Sequence, residues 1–319
     1  MGSCNGFLHG IDRQTGRRVW TYNAGLDGGK PEFHGRPLIT SDLVVIASDD
    51  RRSEGVGYVY AFERPSLRLR WKRRLGAGAM TDIVQAGDHV LVVSLNDELT
   101  ALDLQTGAIR WTFPSGTPNP QCLPSSTPAI AAGRVVFVGL DGTAYGLDTS
   151  SGKAFWHRAL GARVSTSVAS VGAEVFVGDV NGTVHRLDAR SGDENGHLGI
   201  EGVPRGHIVP TNESLLLFAN RASGVSLVSI RGDLGGVRWL RDGPDSGWSS
   251  FSWPHVVRGT VVVGTESGRY MALRLTDGEP EWDGVVKGRV AGIGGDETVL
   301  LVGTTNGAIY ARGLPNSAR

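Results

Sequence analysis

The sequence predicts an all-β protein, a β-propeller built from four-stranded antiparallel blades. Three observations predict it: one unit recurs along the chain, tight hairpin turns recur at fixed places within the unit, and a tryptophan ends most of its copies. From Trp20 to Trp282 the chain advances 262 residues in six intervals, so the unit is about 44 residues long. Such self-similarity indicates an architecture in which one supersecondary unit stacks against its neighbours.

Residues 126–156 contain the clearest copy, STPAIAAGRVVFVGLDGTAYGLDTSSGKAFW. Four short apolar runs are separated by turn signals at Ala132-Gly133, at Asp141-Gly142 and at residues 149–152. The Asp-Gly pair is a strong signal for a two-residue hairpin, because both residues tolerate a positive φ. The copy therefore predicts a four-stranded antiparallel sheet.

The recurring tryptophans are predicted to be structural. Each indole can cover about 150–250 Å² of a neighbouring sheet, and we expect the glycine of the preceding turn to receive the ring. The six tryptophans at this repeat position are Trp20, Trp71, Trp111, Trp156, Trp239 and Trp282. The repeat units end near Trp20, Trp71, Trp111, Trp156, Gly196, Trp239, Trp282 and Arg319. Residues 1–319 are thus predicted to form a single propeller domain.

The length of the chain favours seven blades. Seven units fit within 319 residues, whereas eight units of this length exceed it, and eight thinner blades are the alternative. The inner strands of the seventh blade are predicted near residues 290–294, 299–303 and 308–314, with the N-terminal segment that ends at Trp20 as its outer strand. Pairing of the N- and C-terminal segments would close the ring and remove an open sheet edge.

The repeat resembles the PQQ-like, or quinoprotein-type, propeller repeat, G-x-(L/V/A)-Y-A-L-D-x-x-T-G-x-x-x-W. The copy that contains Asp103, Gly107 and Trp111 matches this pattern almost fully, and eight copies cover nearly the whole chain. Quinone-dependent members of the family carry a vicinal disulfide, calcium ligands and a catalytic aspartate. Cys4 and Cys122 lie in different units here, so no catalytic residue is carried over. The resemblance implies a non-enzymatic member of the family, and such members are also closer to this chain in size.

Composition and charge exclude several classes of protein. The chain has 32 basic and 32 acidic residues, a balance that argues against nucleic-acid binding through bulk charge. Its first residues, MGSCNGFLHG, show neither the basic nor the apolar region of a secretory signal, and the apolar runs are far shorter than a membrane span. We therefore expect no membrane span and a cytoplasmic protein, or a periplasmic or extracellular one if the N-terminus is truncated.

A binding face is predicted where the innermost strands begin, because function on such folds lies on loops held by rigid sheets. The segments aligned with Ser126 and Thr127 are rich in Arg, His and aromatic residues, and Arg suits the recognition of carboxylates and phosphates. The predicted binding residues are His34, Arg36, Asp82, Arg163, Arg205, His207, Trp248, Phe251, Trp253 and Arg289. Trp248 and Trp253 lie outside the repeat position, and a local core plug is the favoured alternative for this pair.

The leading functional hypothesis is a non-catalytic scaffold that binds a protein or peptide, an acidic or extended segment, at one mouth of the central channel. The sequence contains no nucleophile elbow, phosphate-binding loop or paired metal spacing, so we predict no catalytic residue, no metal ligand and no cofactor. The recurrent Asp12, Asp103, Asp148 and Asp188 are interpreted as bonding their own turns rather than as catalytic acids. Two alternatives are a PQQ- or other quinone-dependent oxidoreductase and a small-ligand sensor that uses the channel.

Overall fold

Short β-strands joined by tight turns make up the secondary structure of the protein. The structure is a computed structural model that describes residues 2, 5–27, 30–50, 56–115, 126–244, 247–249 and 252–314. Within these residues every regular element is a β-strand, apart from one 3-10 turn at Ala24–Asp27. The fold is an all-β, seven-bladed propeller of four-stranded antiparallel sheets, as the sequence predicts, and its last blade is described with three strands.

Contacts between residues divide the chain into two compact units. The first comprises Met1–Asp179 and His185–Asn195, and the second comprises Val180–Val184 and Gly196–Arg319. Within each sheet of both units, the strands lie side by side in sequence order, and neighbours are hydrogen-bonded. Connections of this kind need only short turns, for which glycine is well suited. The single-domain organisation stays a prediction.

Blades 1 to 4 each contain four strands in sequence order. Blade 1 consists of β3 (Leu38–Ile39), β4 (Leu43–Asp50), β5 (Val56–Glu63) and β6 (Leu69–Leu75). Blade 2 consists of β7 (Val84–Ala86), β8 (His89–Val93), β9 (Glu98–Asp103) and β10 (Ile109–Pro114). Blade 3 consists of β11 (Ala129–Ala131), β12 (Arg134–Val138), β13 (Thr143–Asp148) and β14 (Ala154–Ala159). Blade 4 consists of β15 (Ala169–Val171), β16 (Glu174–Gly178), β17 (Thr183–Asp188) and β18 (Glu194–Gly199).

Blades 5 to 7 follow the same order. Blade 5 consists of β19 (Val203–Pro210), β20 (Ser214–Arg221), β21 (Gly224–Arg231) and β22 (Val237–Asp242). Blade 6 consists of β23 (His255–Val257), β24 (Thr260–Gly264), β25 (Arg269–Arg274) and β26 (Pro280–Val285). Blade 7 consists of β27 (Val290–Gly295), β28 (Val299–Thr304) and β29 (Ile309–Gly313), close to the three strands predicted there.

The N-terminal hairpin forms a two-stranded sheet of its own, in which β1 (Phe7–Ile11) pairs with β2 (Arg18–Asn23). The expectation that this segment completes the last blade is wrong for the described residues, because β27–β29 form a separate three-stranded sheet. Both β1 and β29 are copies of the third strand, and each pairs with the strand that adjoins it in sequence. Counted with this hairpin, the described strands make eight sheets, and the seven that follow it are the blades.

A β-bulge lies next to the repeat tryptophan, where the third strand of a sheet pairs with the fourth. In blade 3 the register shifts between Gly146 and Leu147, and Trp156 lies directly opposite Gly146. The same shift and pairing recur in the hairpin and in blades 1, 2, 5 and 6. The small residues opposite the six tryptophans are Gly10, Ala61, Ala101, Gly146, Ser229 and Ala272. A small cross-strand partner leaves room for the large ring on that face of the sheet.

Four of the repeat tryptophans cover a glycine in the outer turn of the next blade, the outer turn being the one that joins the third and fourth strands. The Trp111 indole lies on Gly152, and its Nε1 donates a hydrogen bond to the Thr149 carbonyl at 3.1 Å. The other three pairs are Trp71 with Gly107, Trp156 with Gly192 and Trp239 with Gly278. The sequence predicts that each indole covers the glycine of the turn that precedes it. In the structure the indole instead covers the glycine of the next copy of the repeat unit. The preceding turn belongs to the tryptophan's own sheet, whereas the next sheet offers a face to cover.

The first and last repeat tryptophans make different contacts. Trp20 packs edge-on against Phe62, with ring centroids 5.1 Å apart, and Leu67 holds the place of the glycine in the outer turn of blade 1. The Trp282 ring centroid lies 4.7 Å from the Arg312 guanidinium. All six indoles are wholly or partly buried, which agrees with the predicted structural role.

Apolar clusters fill the seams between neighbouring sheets. In the first unit, separate clusters join the hairpin to blade 1, blade 1 to blade 2, blade 2 to blade 3 and blade 3 to blade 4. In the second unit, clusters join blade 5 to blade 6 and blade 6 to blade 7. Val45 and Val92 illustrate one seam, since each is fully buried and they come from adjacent blades. Radial stacking of this kind hides both apolar faces of a sheet that could not bury them alone.

Candidate binding face

The turn between the second and third strands of a blade is hydrogen-bonded to the linker, the segment that leads from the fourth strand of that blade to the next blade. The Leu160 N–H donates to the Gly142 carbonyl at 2.9 Å. Equivalent bonds run from Ala24 to Gly6, from Ser115 to Asp97, from Ile200 to Gly182 and from Val286 to Gly268. Gly142 has a φ of +81°, and a side chain there would collide with the Ala162 carbonyl. Each linker is thereby fixed close to where the first strand of the next blade begins.

In the first unit, the segments that lead into the first strands of blades 1 to 4 are hydrogen-bonded in order. We call these the lead-in segments. The Asp82 carboxylate accepts a hydrogen bond from the Arg36 N–H at 2.7 Å, and the Asp82 N–H donates to Thr127 Oγ1 at 3.3 Å. The Thr127 carbonyl in turn accepts from the Val168 N–H at 3.0 Å. The lead-in segments are residues 30–37, 76–83, 126–128 and 161–168.

Two predicted arginines are exposed on these segments. The main chain of Arg36 is fixed by Asp82, so the structure brings these two predicted residues together through the backbone, and Arg36 is exposed. Arg163 is also exposed, and it directly follows the linker that Gly142 holds. Both guanidinium groups are therefore presented from backbone that is tied to a neighbouring turn or blade.

His34 lies beside two carboxylates rather than alone on a loop. Its Nε2 is 3.2 Å from Glu32 Oε2 and 3.7 Å from Asp49 Oδ1. The contact with Asp49 raises the pKa of His34 above its usual value, and the charges of Asp49 and Glu32 act in the same direction against the effect of burial. Sequence reasoning found His34 but missed both acids. Asp49 comes from the neighbouring strand β4, and Glu32, two residues before His34, was not singled out.

Glu266 in the second unit lies close to two further predicted arginines. Arg289 Nε is 2.5 Å from Glu266 Oε2. Arg205 Nη1 donates to Asn220 Oδ1 at 3.3 Å. Burial lowers the pKa of the Arg205 guanidinium, and the charge of Glu266 opposes this effect. The structure thus places the predicted residues Arg205 and Arg289 within the influence of the same carboxylate.

The predicted aromatic residues differ in their burial. Trp253 packs edge-on against His207 at a centroid distance of 5.0 Å and covers Gly206, where any side chain would overlap the indole. Trp248 is only 3% exposed, and its Nε1 donates to the Arg241 carbonyl at 3.3 Å. Both indoles belong to the apolar cluster between blades 5 and 6, which agrees with the core-plug alternative. Phe251 lies outside the described residues.

Arginines two positions after three of the repeat tryptophans were missed by the sequence reasoning. Arg73 Nε donates to the carbonyl of Gly107 at 2.6 Å, the same glycine that the Trp71 indole covers. Arg158 and Arg241 make the equivalent bond to the covered glycine of their next blade. The W-x-R spacing in three copies was the available signal. Each of these outer turns is thus held by an indole and a guanidinium from the preceding blade.

The recurrent aspartates serve their own outer turns, as interpreted from the sequence. Asp148 Oδ1 accepts hydrogen bonds from the hydroxyl and N–H groups of Ser150 and Ser151. These bonds, chiefly those from the two hydroxyls, lower the pKa of Asp148 to about 2. Asp12, Asp103 and Asp188 bond their turns in the same way. A carboxylate that is committed to its own turn is poorly placed for acid–base chemistry.

Curated relatives of the chain share one description. The outer membrane protein assembly factor BamB of Yersinia pestis is 22% identical over 327 residues, which cover 96% of this chain and 79% of that protein. The protein of the same name from Xanthomonas campestris pv. campestris is 30% identical over 168 residues, 49% of this chain and 38% of that protein. The protein of that name from Legionella pneumophila is 25% identical over 178 residues, 52% of this chain and 43% of that protein.

Solved structures show the same fold. BamB from Moraxella catarrhalis superimposes with a TM-score of 0.77 at 18% identity, covering 98% of this chain and 92% of that one. The computationally designed protein Ika8 gives a TM-score of 0.77 at 14% identity, with the same coverage. At such low identity these matches support the propeller architecture alone.

The expectation of a cytoplasmic protein is wrong. It was based on the lack of a signal in the first residues of the given sequence, whereas the relatives are named as outer membrane protein assembly factors. Those names describe assembly factors rather than enzymes, which agrees with the prediction of a non-catalytic, protein-binding chain. Within the described residues, no helix is long and apolar enough to cross a membrane.

A family profile matches almost the whole chain. The profile described as "Outer membrane protein assembly factor BamB" matches residues 5–172 and again residues 141–312. The two matches overlap at residues 141–172 and together span residues 5–312. The chain therefore belongs to this family of PQQ-like β-propellers.

Proposed function

We propose that the protein is a non-catalytic scaffold that acts in the periplasm during outer membrane protein assembly, where it binds a protein partner. Membership of the family supports the process, and the names of the relatives support an assembly role rather than a catalytic one. The proposal includes no quinone and no other redox cofactor. The lead-in segments of blades 1 to 4 are the proposed binding face.

One observation carries the choice of face: the lead-in segments are hydrogen-bonded to one another from Arg36 through Asp82 and Thr127 to Val168. A backbone that is already ordered loses little conformational entropy when a partner binds, so more of the contact energy appears as affinity. The order also means that Arg36 is presented from a fixed position. A rigid face with exposed side chains is therefore suited to recognition.

The exposed arginines indicate the chemistry of the partner. A guanidinium group can bind a carboxylate through two parallel hydrogen bonds, and Arg is among the residue types that dominate interface hot spots. Arg36 and Arg163 are both exposed on the lead-in segments. We infer that the partner contributes an acidic or extended segment to this face.

The experiment is charge reversal in the organism that encodes the protein. A strain without the gene is supplied with the wild type, with Arg36→Glu and Arg163→Glu together, or with Arg190→Glu as a control. Arg190 is exposed as well, but it lies on the outer turn of blade 4. The amount of folded outer membrane protein is then measured by its heat-modifiable migration on gels.

The double variant is expected to lower the amount of folded outer membrane protein towards the level of the strain without the gene, and Arg190→Glu is expected to restore the wild-type amount. Thermal melting shows that the variants are folded. If the folded double variant works as well as the wild type, the proposed face is wrong. If removal of the gene itself changes nothing, the proposed role in outer membrane protein assembly is wrong.

A further inference from the structure

Three potential metal ligands meet where the lead-in segment of blade 1 crosses strand β4. Glu32 and Asp49 form an isolated antiparallel bridge, with N–H to carbonyl distances of 2.7 and 2.9 Å in the two directions. His34 follows Glu32 by two residues, so in extended backbone the two side chains point to the same side. The bridge fixes the main chain of the lead-in segment against β4, and this main-chain arrangement brings the three side chains close together.

The geometry of the three donor atoms suits a small cation. His34 Nε2 lies 3.2 Å from Glu32 Oε2 and 3.7 Å from Asp49 Oδ1, and all three donor atoms lie within 4.8 Å of one another. Ligand atoms bound to tetrahedral zinc at about 2.0–2.1 Å are roughly 3.3 Å apart. The His34 contacts are therefore near the edge lengths of such a site, and small side-chain movements would complete it.

Burial and charge favour the same conclusion. The Asp49 side chain is 0% exposed, whereas those of Glu32 and His34 are 27% and 25% exposed, so the cluster opens to solvent on one side. A buried carboxylate is costly unless a positive charge lies close to it. Gly78 allows the close packing behind Asp49, because a Cβ at Gly78 would lie 2.5 Å from that of Asp49. A divalent cation would neutralise the two carboxylates and could be reached from solvent.

A second histidine in the same unit provides a contrast. His185 also lies between two carboxylates, but Asp179 Oδ2 is 3.3 Å from its Nε2 while Glu194 Oε1 is 2.9 Å from its Nδ1. The two acids thus face opposite nitrogens of the ring, and they cannot share one ion with it. In blade 1 both acids face Nε2. The arrangement in blade 1 is the one that can converge on a metal.

We propose that Glu32, His34 and Asp49 bind a divalent cation of the zinc class. One imidazole and two carboxylates form a three-ligand set of the kind that leaves further coordination positions open for water or for a group of a partner. The bound ion would join the lead-in segment of blade 1 to β4 and stiffen one end of the proposed binding face. The inference depends on the cluster alone and does not require the proposed function.

The test is calorimetric titration of the full chain, freed of metal by a chelator, with zinc chloride. We expect one equivalent of Zn²⁺ to bind and to raise the temperature of unfolding. Co²⁺, added as cobalt chloride, should bind at the same site and give the visible absorption typical of a low coordination number. Magnesium and calcium chloride should not compete, and competition by either would contradict the assignment to the zinc class.

Three variants locate the site. Glu32→Gln and His34→Gln should each weaken Zn²⁺ binding at least tenfold, and since both side chains are partly exposed the fold should be kept. His185→Gln is the matched control. It removes a histidine whose two carboxylate partners face opposite ring nitrogens, so it should leave the affinity for Zn²⁺ unchanged. The proposal is overturned if no saturable binding is found, or if Glu32→Gln and His34→Gln bind Zn²⁺ as tightly as the wild type.

Discussion

The indole of Trp111 in blade 2 lies on Gly152 in the outer turn of blade 3, and its Nε1 donates a hydrogen bond to the Thr149 carbonyl of the same turn at 3.1 Å. The ring therefore closes the seam between two sheets with both an apolar surface and a directed polar bond. The same pair of contacts recurs for Trp71, Trp156 and Trp239. Four seams between neighbouring sheets are in this way closed by the same pair of contacts.

Removal of the Trp111 ring should strongly destabilise the protein. Trp111 is 8% exposed, and truncation of a buried tryptophan to alanine costs about 3–5 kcal/mol. Trp111→Phe keeps much of the buried surface and should cost less. Urea unfolding measures the change in free energy. Ile109→Ala on the same strand, where the side chain is 51% exposed, is the control, and a Trp111→Ala effect no larger than that of the control would contradict the structural role.

A methyl group at Gly152 should be tolerated much less well than one at Gly133. Both glycines have a positive φ, +67° and +75°, so alanine is strained at either position, by about 1–2 kcal/mol. A Cβ at Gly152 would also overlap the Trp111 indole, whereas no atom of the described residues lies within 4 Å of one at Gly133. Overpacking adds about 1–3 kcal/mol at Gly152 alone. Equal losses of unfolding free energy in the two variants would show that the indole is not seated on Gly152.

Arg73 should contribute to the seam between blades 1 and 2 through a single hydrogen bond. Its Nε donates to the Gly107 carbonyl at 2.6 Å, while the adjacent Arg74 is exposed. Arg73→Met keeps the aliphatic stem and removes the donor, which should cost about 1 kcal/mol. Arg74→Met should change the free energy of unfolding by less than about 0.5 kcal/mol. Chemical unfolding of the two variants side by side measures both changes in unfolding free energy. A larger loss for Arg74→Met than for Arg73→Met would contradict the role of Arg73 in this seam.

The outer turns should weaken in acid. The hydroxyls of Ser150 and Ser151 hold the pKa of Asp148 at about 2, below the ordinary value of 3.8. Because the folded-state pKa is the lower one, the stabilisation is present above about pH 4 and is lost as the pH falls towards 2. Carbon-13 NMR of the side-chain carboxyl measures the titration directly. Replacement of both serines by alanine should move the midpoint up towards 3.8, and a wild-type midpoint already near 3.8 would contradict the hydrogen-bonding pattern.

The fold followed from the sequence to the extent that local signals repeat. Gly142 adopts a positive φ, although residues 139–142 form a four-residue connection between β12 and β13 rather than the predicted two-residue hairpin. The predicted strands of blade 7 lie close to their places. The landing glycine was assigned to the wrong copy. Most copies of the unit contain both a tryptophan and a glycine, so periodicity alone does not distinguish the preceding turn from the following one. Packing against the next sheet decides it.

The candidate site could be predicted only in part, because it depends on contacts between segments distant in sequence. Alignment of the lead-in segments found Arg36, Asp82 and Arg163, since all three lie in the segments aligned with Ser126 and Thr127. The partnership of His34 with Asp49 depends on a bridge between the lead-in segment and β4, which no spacing rule reveals. The predicted terminal pairing is not found among the described residues, where β1 pairs with β2 and β27–β29 form a sheet of their own.

Site-specific photo-crosslinking measures partner binding at the lead-in segments most directly. A photoreactive amino acid is placed at position 36, 163 or 190 of the full chain, and the cells are illuminated before the products are identified by mass spectrometry. Positions 36 and 163 are expected to crosslink to a component of the outer membrane protein assembly machinery, and position 190, on an outer turn, is not. Crosslinks to that machinery from position 190 alone would contradict the proposed binding face, and an absence of such crosslinks from all three positions would contradict the scaffold role itself.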